Sequence, residues 1–233
     1  MAIRLRQVAL VARDLHPVIE DLSHAYDLSV CFTDPGVAEF GLTNALVAVG
    51  HDFLEVVQPV TEGTTAERLL RKRGGDGGYM VIVQCDDLER RRARLPGLGV
   101  RVVWQIDLPE IAGTHLHPRD VGGAILSIDA TTRWDDWQWA GPRWRDHVRT
   151  GVVTGLAGVE VAADDPAAMA ARWGEVLDAE VDAMVVRLDG SEIRFVPVGP
   201  RGEGVDGVLL RASDPARAGE RREIGGVRVT LVT

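Results

Sequence analysis

Residues 6–32, RQVALVARDLHPVIEDLSHAYDLSVCF, decide the fold. The apolar run from Val8 to Ala12 reads as a strand with at least one buried face. Asp14 follows it and can cap a helix. In that helix Leu15, Val18, Ile19, Leu22 and Tyr26 fall on one face, which lays it against a sheet. Strand-forming residues return at Val30, and two further strands follow, in AEFGLTNALVAVG (38–50) and DFLEVVQPV (52–60). The unit is β-α-β-β-β.

Working outward, the same pattern returns along the 233 residues. The second copy is YMVIVQCDDLERRRARLPGLGVRVVW (79–104), continued by THLHP (114–118) and GGAILSIDA (122–130). The third is LAGVEVAADDPAAMAARWGEVLDAEVD (156–182), continued by MVVRLDGSEIRFVPV (184–198), a hairpin turning at Asp189-Gly190. The fourth, DGVLLRASDPARAGERREIGGVRVTLV (206–232), is shortened. Asp87, Asp165 and Asp214 are the matching caps, and Pro166 and Pro215 stand at first helical positions, where a missing N–H costs nothing. The fold class is therefore α+β, built from tandem β-α-β-β-β units with the fourth truncated. Pairing the units gives one domain over 1–130 and a degenerate second domain over 151–233. The linker, 131–150, is rich in tryptophan: RWDDWQWAGPRW (133–144) holds Trp134, Trp137, Trp139 and Trp144. It reads as aromatic anchoring of one half against the other, with a cofactor box as the other reading.

Composition narrows the function classes. With 45% hydrophobic and 26% charged residues the chain is expected to be globular, and no apolar run approaches the ~18 residues of a spanning helix. The start, MAIRLRQVALVARDL, turns charged before a signal-peptide core can form, so the expectation is a soluble, cytoplasmic protein with no membrane partner. A net charge of −9 disfavours nucleic acid as a partner. Cys31 and Cys85 sit apart in apolar stretches and read as reduced thiols. No P-loop, GxGxxG, GxSxG or HExxH pattern occurs, which leaves nucleotide-dependent transfer, lipase-type hydrolysis and zinc proteolysis without support.

A β-α-β-β-β unit used in pairs resembles the vicinal oxygen chelate superfamily of glyoxalases, methylmalonyl-CoA epimerases, extradiol dioxygenases and bleomycin-resistance proteins. GTTAERLLRKRGGDGGYMVIVQCDDL (63–88) looks like the segment that joins two units there, and HLHPRDVGGAILSID (115–129) looks like the closing hairpin of methylmalonyl-CoA epimerases. FGLTNALVAVGHDFLEVV (40–57) is similar to a glyoxalase-like group. The resemblance implies two cup-shaped half-barrel sheets, the first of which holds a small-molecule ligand. It also implies four metal-ligand positions per cup. These fall on Gln7, Glu55, Met80 and Ser127 in the first domain, and on Gly158, Ile193, Gly207 and Thr230 in the second. Gln7 and Glu55 can serve a cation; a thioether and a neutral hydroxyl are poor ligands for the divalent metals the superfamily uses. With two of four positions lost, no cofactor is expected, and a divalent metal stays open only through Gln7 and Glu55.

The remaining chemistry centres on Glu55. Set between Leu54 and Val56 it should face into the cup, where burial raises its pKa and suits it to take a proton next to a carbonyl; pairing with an arginine or with Gln7 is the structural alternative. Gln7 and Asn44 can offer amides to substrate oxygens. Met80, Trp104 and Tyr79 can line an aromatic or apolar ligand, or be plain core. His115 and His117 alternate in one strand and should share a face, as pocket residues, as added ligands, or as partners of the neighbouring turn. The arginines of 90–94 and the basic residues of 68–73 can hold phosphates at the mouth or simply form solvated helix faces. Two functions follow: an isomerase or lyase acting on a carbonyl, acyl or thioester compound, or a metal-free binding protein of the drug-sequestering type. A homodimer is a candidate assembly.

Overall fold

A computed structural model describes residues 1–233. The first unit comprises β1 (Ile3–Val11), α1 (Leu15–Tyr26), β2 (Val30–Phe32), β3 (Leu42–Val49) and β4 (Asp52–Pro59). Helix α2 (Thr65–Arg73) leads to the second unit: β5 (Gly77–Cys85), α3 (Leu88–Arg94), β6 (Val102–Asp107), β7 (Ile111–Leu116), the single turn α4 (Pro118–Val121) and β8 (Ile125–Thr131). The third unit is β9 (Val153–Ala163), α5 (Pro166–Leu177), β10 (Val181–Asp182), β11 (Val185–Leu188) and β12 (Ser191–Pro197). In the fourth, β13 (Gly204–Ala212), β14 (Arg221–Ile224) and β15 (Val227–Val232), the helix shrinks to the 3₁₀ turn Pro215–Arg217. Each pair of units makes one sheet: eight strands in the order β2-β3-β4-β1-β5-β8-β7-β6, and seven in the order β10-β11-β12-β9-β13-β15-β14. In both, the opening strands of the paired units meet antiparallel at the centre, β1 on β5 and β9 on β13. No helix is long and apolar enough to cross a membrane.

Local chemistry sets the helix starts. The Asp14 carboxylate accepts from the His16 N–H at 3.0 Å and that of Asp165 from Ala168 at 2.9 Å, so orphan donors of α1 and α5 are satisfied. Asp87 departs from the expectation: its carboxylate makes no cap hydrogen bond and instead binds Arg90 and Arg91. The apolar stripe of α1 is buried as its spacing requires, through Leu15, Val18, Leu22 and Tyr26. The proposed closing hairpin contains a helical turn, because Pro118 follows His117 and the chain winds once before the Gly122-Gly123 bend.

Period-two alternation gives the first sheet two different faces. Val8, Leu10, Val47, Leu54, Val56, Val81 and Val83 point to the helical side and join Val159, Val161, Val205 and Val208 of the second sheet in one core of 45 residues. The two sheets meet there because Gly78 has no side chain: a Cβ at that position would lie 2.2 Å from the Val205 Cβ. Arginines fasten the rim. Arg90 pairs with Asp178 at 2.7 Å, Arg91 donates to the Leu177 carbonyl, Arg94 to the Glu175 carbonyl at 3.1 Å, and Arg73 to the Glu203 carbonyl at 3.1 Å. Arg73, Arg90, Arg91 and Arg94 are thereby engaged at the joint between the sheets, while Arg92 bonds Thr114 and Asp107 within the first sheet.

The other face of the first sheet, the cup face, carries a separate cluster: Ala9, Val11, Leu42, Leu46, Phe53, Val57, Tyr79, Met80 and Ile82, with Ala66 and Leu70 of α2 above them. Trp137 and Trp144 belong to this cluster, and both are almost wholly buried. The tryptophan segment therefore does not anchor one half against the other. It lies across the first cup as a strap: Trp137 and Trp144 are buried there, Trp139 packs against them, and Trp134 stays outside under Arg4.

Candidate functional site in the first cup

Strand register shows what the cup presents. Glu55 pairs with Ala9 in β1 and with Leu46 in β3, while Ser127 pairs with Ile82 in β5. Glu55 and Ser127 are thus equivalent positions in the two units, as are Gln7 and Met80, each two residues before those pairing points. All four lie on the cup face. A register shift in β1 at Arg6 and another in β5 at Tyr79 add residues to that face, which is why Tyr79 and Met80 both join the cup cluster.

The first half of the cup is built around one carboxylate. Glu55 Oε2 accepts from Gln7 Nε2 at 2.8 Å, and Oε1 accepts from Asn44 Nδ2 at 2.6 Å. Each amide is held in turn. Gln7 Oε1 accepts from the Trp137 indole at 2.7 Å, and Asn44 Oδ1 accepts from the Asp34 N–H at 2.8 Å. Gln7 and Asn44 thus spend their donors on Glu55. No cation meets this carboxylate; burial raises its pKa, and the two amide hydrogen bonds offset part of that rise. Tyr79 lies close enough to feel the charge: burial first and Glu55 second push its phenol up to about 12.

The second half holds Met80, Ser127, His115 and Trp104. His115 pairs across the strands with Ser127 and with Trp104, and its ring centroid is 4.4 Å from that indole. Phe40, from the turn before β3, completes an aromatic wall, 5.5 Å from Trp104. Burial drives the His115 imidazole down to about 4, so it is neutral at ordinary pH. His117 does not share this face: β7 ends at Leu116, and the His117 Nδ1 accepts from the Arg119 N–H at 3.1 Å as the cap of α4.

Two further residues shape the cup. Asp129, two positions after Ser127 and therefore on the same face, accepts from Ser127 Oγ at 2.5 Å and from the Trp139 indole at 2.8 Å. Burial pushes it up to about 6, against the lowering effect of these hydrogen bonds and of the Arg92 charge. Gly113 lets Trp104 and Asp129 pack closely, since a Cβ there would sit 3.3 Å from the Trp104 ring and 3.4 Å from both Asp129 oxygens. Arg6 is fully buried behind Phe53, Trp137 and Trp144, with its guanidinium 5.4 Å from the first two ring centroids and 6.0 Å from the third. The alternation Ser127-x-Asp129 was a usable sequence signal for Asp129. Nothing comparable marked Arg6, which a strand bulge turns to this face, and the marked indoles gave no sign of which surface they cover.

This donor set does not fit a divalent metal. The Gln7 oxygen is taken by Trp137, Ser127 by Asp129, and Met80 is a weak thioether ligand. No group of three His, Cys, Asp or Glu side chains converges anywhere in the chain. The second sheet differs further. Arg194, not Ile193, pairs with Glu160 and so occupies the position equivalent to Glu55, while Ile193 pairs with Val159 and lies in the shared core. Gly158, Gly207 and Thr230 complete that set.

Paired β-α-β-β-β units, central strands meeting antiparallel and a buried carboxylate on the cup face define the vicinal oxygen chelate class. Residues 8–177 match the glyoxalase-like domain family, and the chain belongs to it. It is 24% identical over 132 residues to the ethylmalonyl-CoA/methylmalonyl-CoA epimerase of Cereibacter sphaeroides, across 54% of this chain and 96% of that one. Methylmalonyl-CoA epimerase of Streptomyces coelicolor, solved with 2-nitronate-propionyl-CoA, shares the fold at a TM-score of 0.51 and 20% identity, over 57% of this chain and all of its own. A hypothetical protein from Staphylococcus aureus shares the whole two-sheet fold, with a TM-score of 0.69, 11% identity and 98% coverage of both chains.

Proposed function

We propose that the first cup binds a small carbonyl or acyl compound, free or as a thioester, and that Glu55 removes a proton from the carbon next to the carbonyl without a metal. The observation that supports this most strongly is a buried carboxylate held by two amides and by no cation. Such a group is a stronger base than a solvated glutamate and is fixed in orientation, which favours proton transfer in a closed site. The C–H electron pair stays on the substrate as an enolate, the proton passes to Glu55, and return of that proton to the carbon completes an isomerisation. Resemblance to epimerases of acyl-CoA compounds supports the substrate class. The test is hydrogen exchange in D₂O across a panel of acyl thioesters and small ketones, read by mass spectrometry. Exchange should occur in the wild type and fall at least about 100-fold in Glu55→Gln. Exchange undiminished in that variant, or absent throughout the panel, defeats the reading.

A second reading has its own observation, the wall of Phe40, Trp104 and His115 beside Met80, which suits an aromatic or apolar ligand held without turnover. In that case a panel compound raises the melting temperature of wild type and Glu55→Gln equally, with no exchange in either.

A further inference from the structure

The charges that line the cup narrow the ligand further. Three acidic groups bear on it: Glu55 in the first half, Asp129 in the second, and Asp34, whose charge raises Glu55 further. No cation hydrogen-bonds either Glu55 or Asp129, whose partners are amides, a hydroxyl and an indole. Arg6 has its Nε and Nη1 unpartnered and one hydrogen bond, to the Asp135 carbonyl at 3.3 Å, and it is sealed from the cup behind three aromatic rings. Arg68, whose charge reaches Tyr79, donates to the Gly63 carbonyl and to Thr65 Oγ1. Arg92 bonds Thr114 and Asp107 on the far side of the sheet, and its charge reaches Asp129 only as the last of the influences that lower that carboxyl. His115, the remaining basic group, is held neutral.

We infer that the part of the ligand seated in the cup is uncharged and bears a hydrogen-bond donor, and that a free carboxylate is rejected there. This rests on the cup being the binding site, as proposed above. An incoming carboxylate would lose its water and meet two buried carboxyl groups with no cation to answer it, an arrangement that like-charge repulsion and desolvation both oppose. A hydroxyl, amide or enol donor meets the reverse situation, because each carboxyl has a lone pair left after its two neighbours are served. Gly113 and the Trp104 ring face the Asp129 carboxyl closely. The acyl group favoured here therefore differs from the carboxylate-bearing methylmalonyl group in the names of the similar epimerases. A neutral acyl chain carried as a thioester remains within the class.

The test uses two probes of nearly the same shape, benzamide and benzoate, titrated at pH 7.5 into the full-length protein and followed by ligand-observed NMR. Benzamide should bind at least tenfold more tightly than benzoate. Asp129→Asn, which keeps an acceptor for Trp139, should narrow that gap at least threefold by strengthening benzoate. Benzoate binding as tightly as benzamide to the wild type overturns the inference, and this comparison needs no variant to fold. Failure of both probes to bind overturns it as well. The Glu55 reading stands or falls separately, on exchange into substrate.

Discussion

The two cup faces have matching strand orders around them, one edge strand short in the second, and opposite chemistry on them. In the first, Glu55 is buried under a tryptophan strap and answered only by amides. In the second, Arg194 stands at the same register position, half-exposed and paired with Glu192, and Arg228 bonds Glu160 at 3.0 Å. An exposed ion pair contributes little and commits its groups to each other. A covered carboxylate without a counter-ion is costly to keep and chemically available. What separates them is what covers the sheet, since the fold itself repeats.

The sharpest way to break this comparison is to remove the cover. Trp137 fills the cup beside Phe53 at a centroid distance of 6.4 Å and holds Gln7. Trp137→Ala should therefore cost about 3–5 kcal/mol in chemical denaturation, the range for losing a buried tryptophan. Arg194→Ala, on the other cup, should change stability by less than about 1 kcal/mol. Equal losses would mean that the two faces contribute alike and that the strap is incidental.

The next effect concerns pH and compares the two titrating groups in the second half of the cup. Asp129 rises from 3.8 to about 6 on folding, so the native state takes up its proton first and gains stability as pH falls from about 6 to 4. His115 falls from 6.5 to about 4, so the unfolded state takes up that proton first and stability is lost over nearly the same interval. Each shift corresponds to about 3 kcal/mol, and the two oppose each other. Between pH 6.5 and 4, Asp129→Asn should lose stability relative to wild type, and His115→Phe should gain it. Denaturation midpoints that run parallel to wild type across that interval would show that neither group is buried as described.

Much of the fold was legible in the chain because it rests on local rules: period-two strands, Asp caps and the shortened fourth unit. The register between units was legible too, as the equivalence of Glu55 with Ser127 shows. In the second sheet, counting placed Ile193 one residue away from Arg194, and with period two one residue is the whole difference between core and cup. The site was only partly legible. Alternation pointed Glu55 into the cup and the resemblance placed Gln7 beside it, so their pairing was a readable alternative; the second bond, from Asn44, was not, because it depends on three strands meeting. The strap was misread for a related reason: tryptophan content announces burial without saying which surface is buried.

The smallest effect tests the divergence of two histidines two residues apart. His115 faces the cup, while His117, after the strand ends, spends its Nδ1 on the Arg119 N–H. Removing a side-chain cap typically costs about 1 kcal/mol, and α4 is a single turn, so His117→Ala should sit at or below that figure. His117→Asn restores an acceptor of similar reach and should recover most of the loss. Neither change should alter binding of the neutral benzamide probe, whereas His115→Ala, which removes a wall of the cup, should weaken it several-fold. A His117 variant that weakens the probe as much as His115→Ala would place both imidazoles in the cup and undo the distinction.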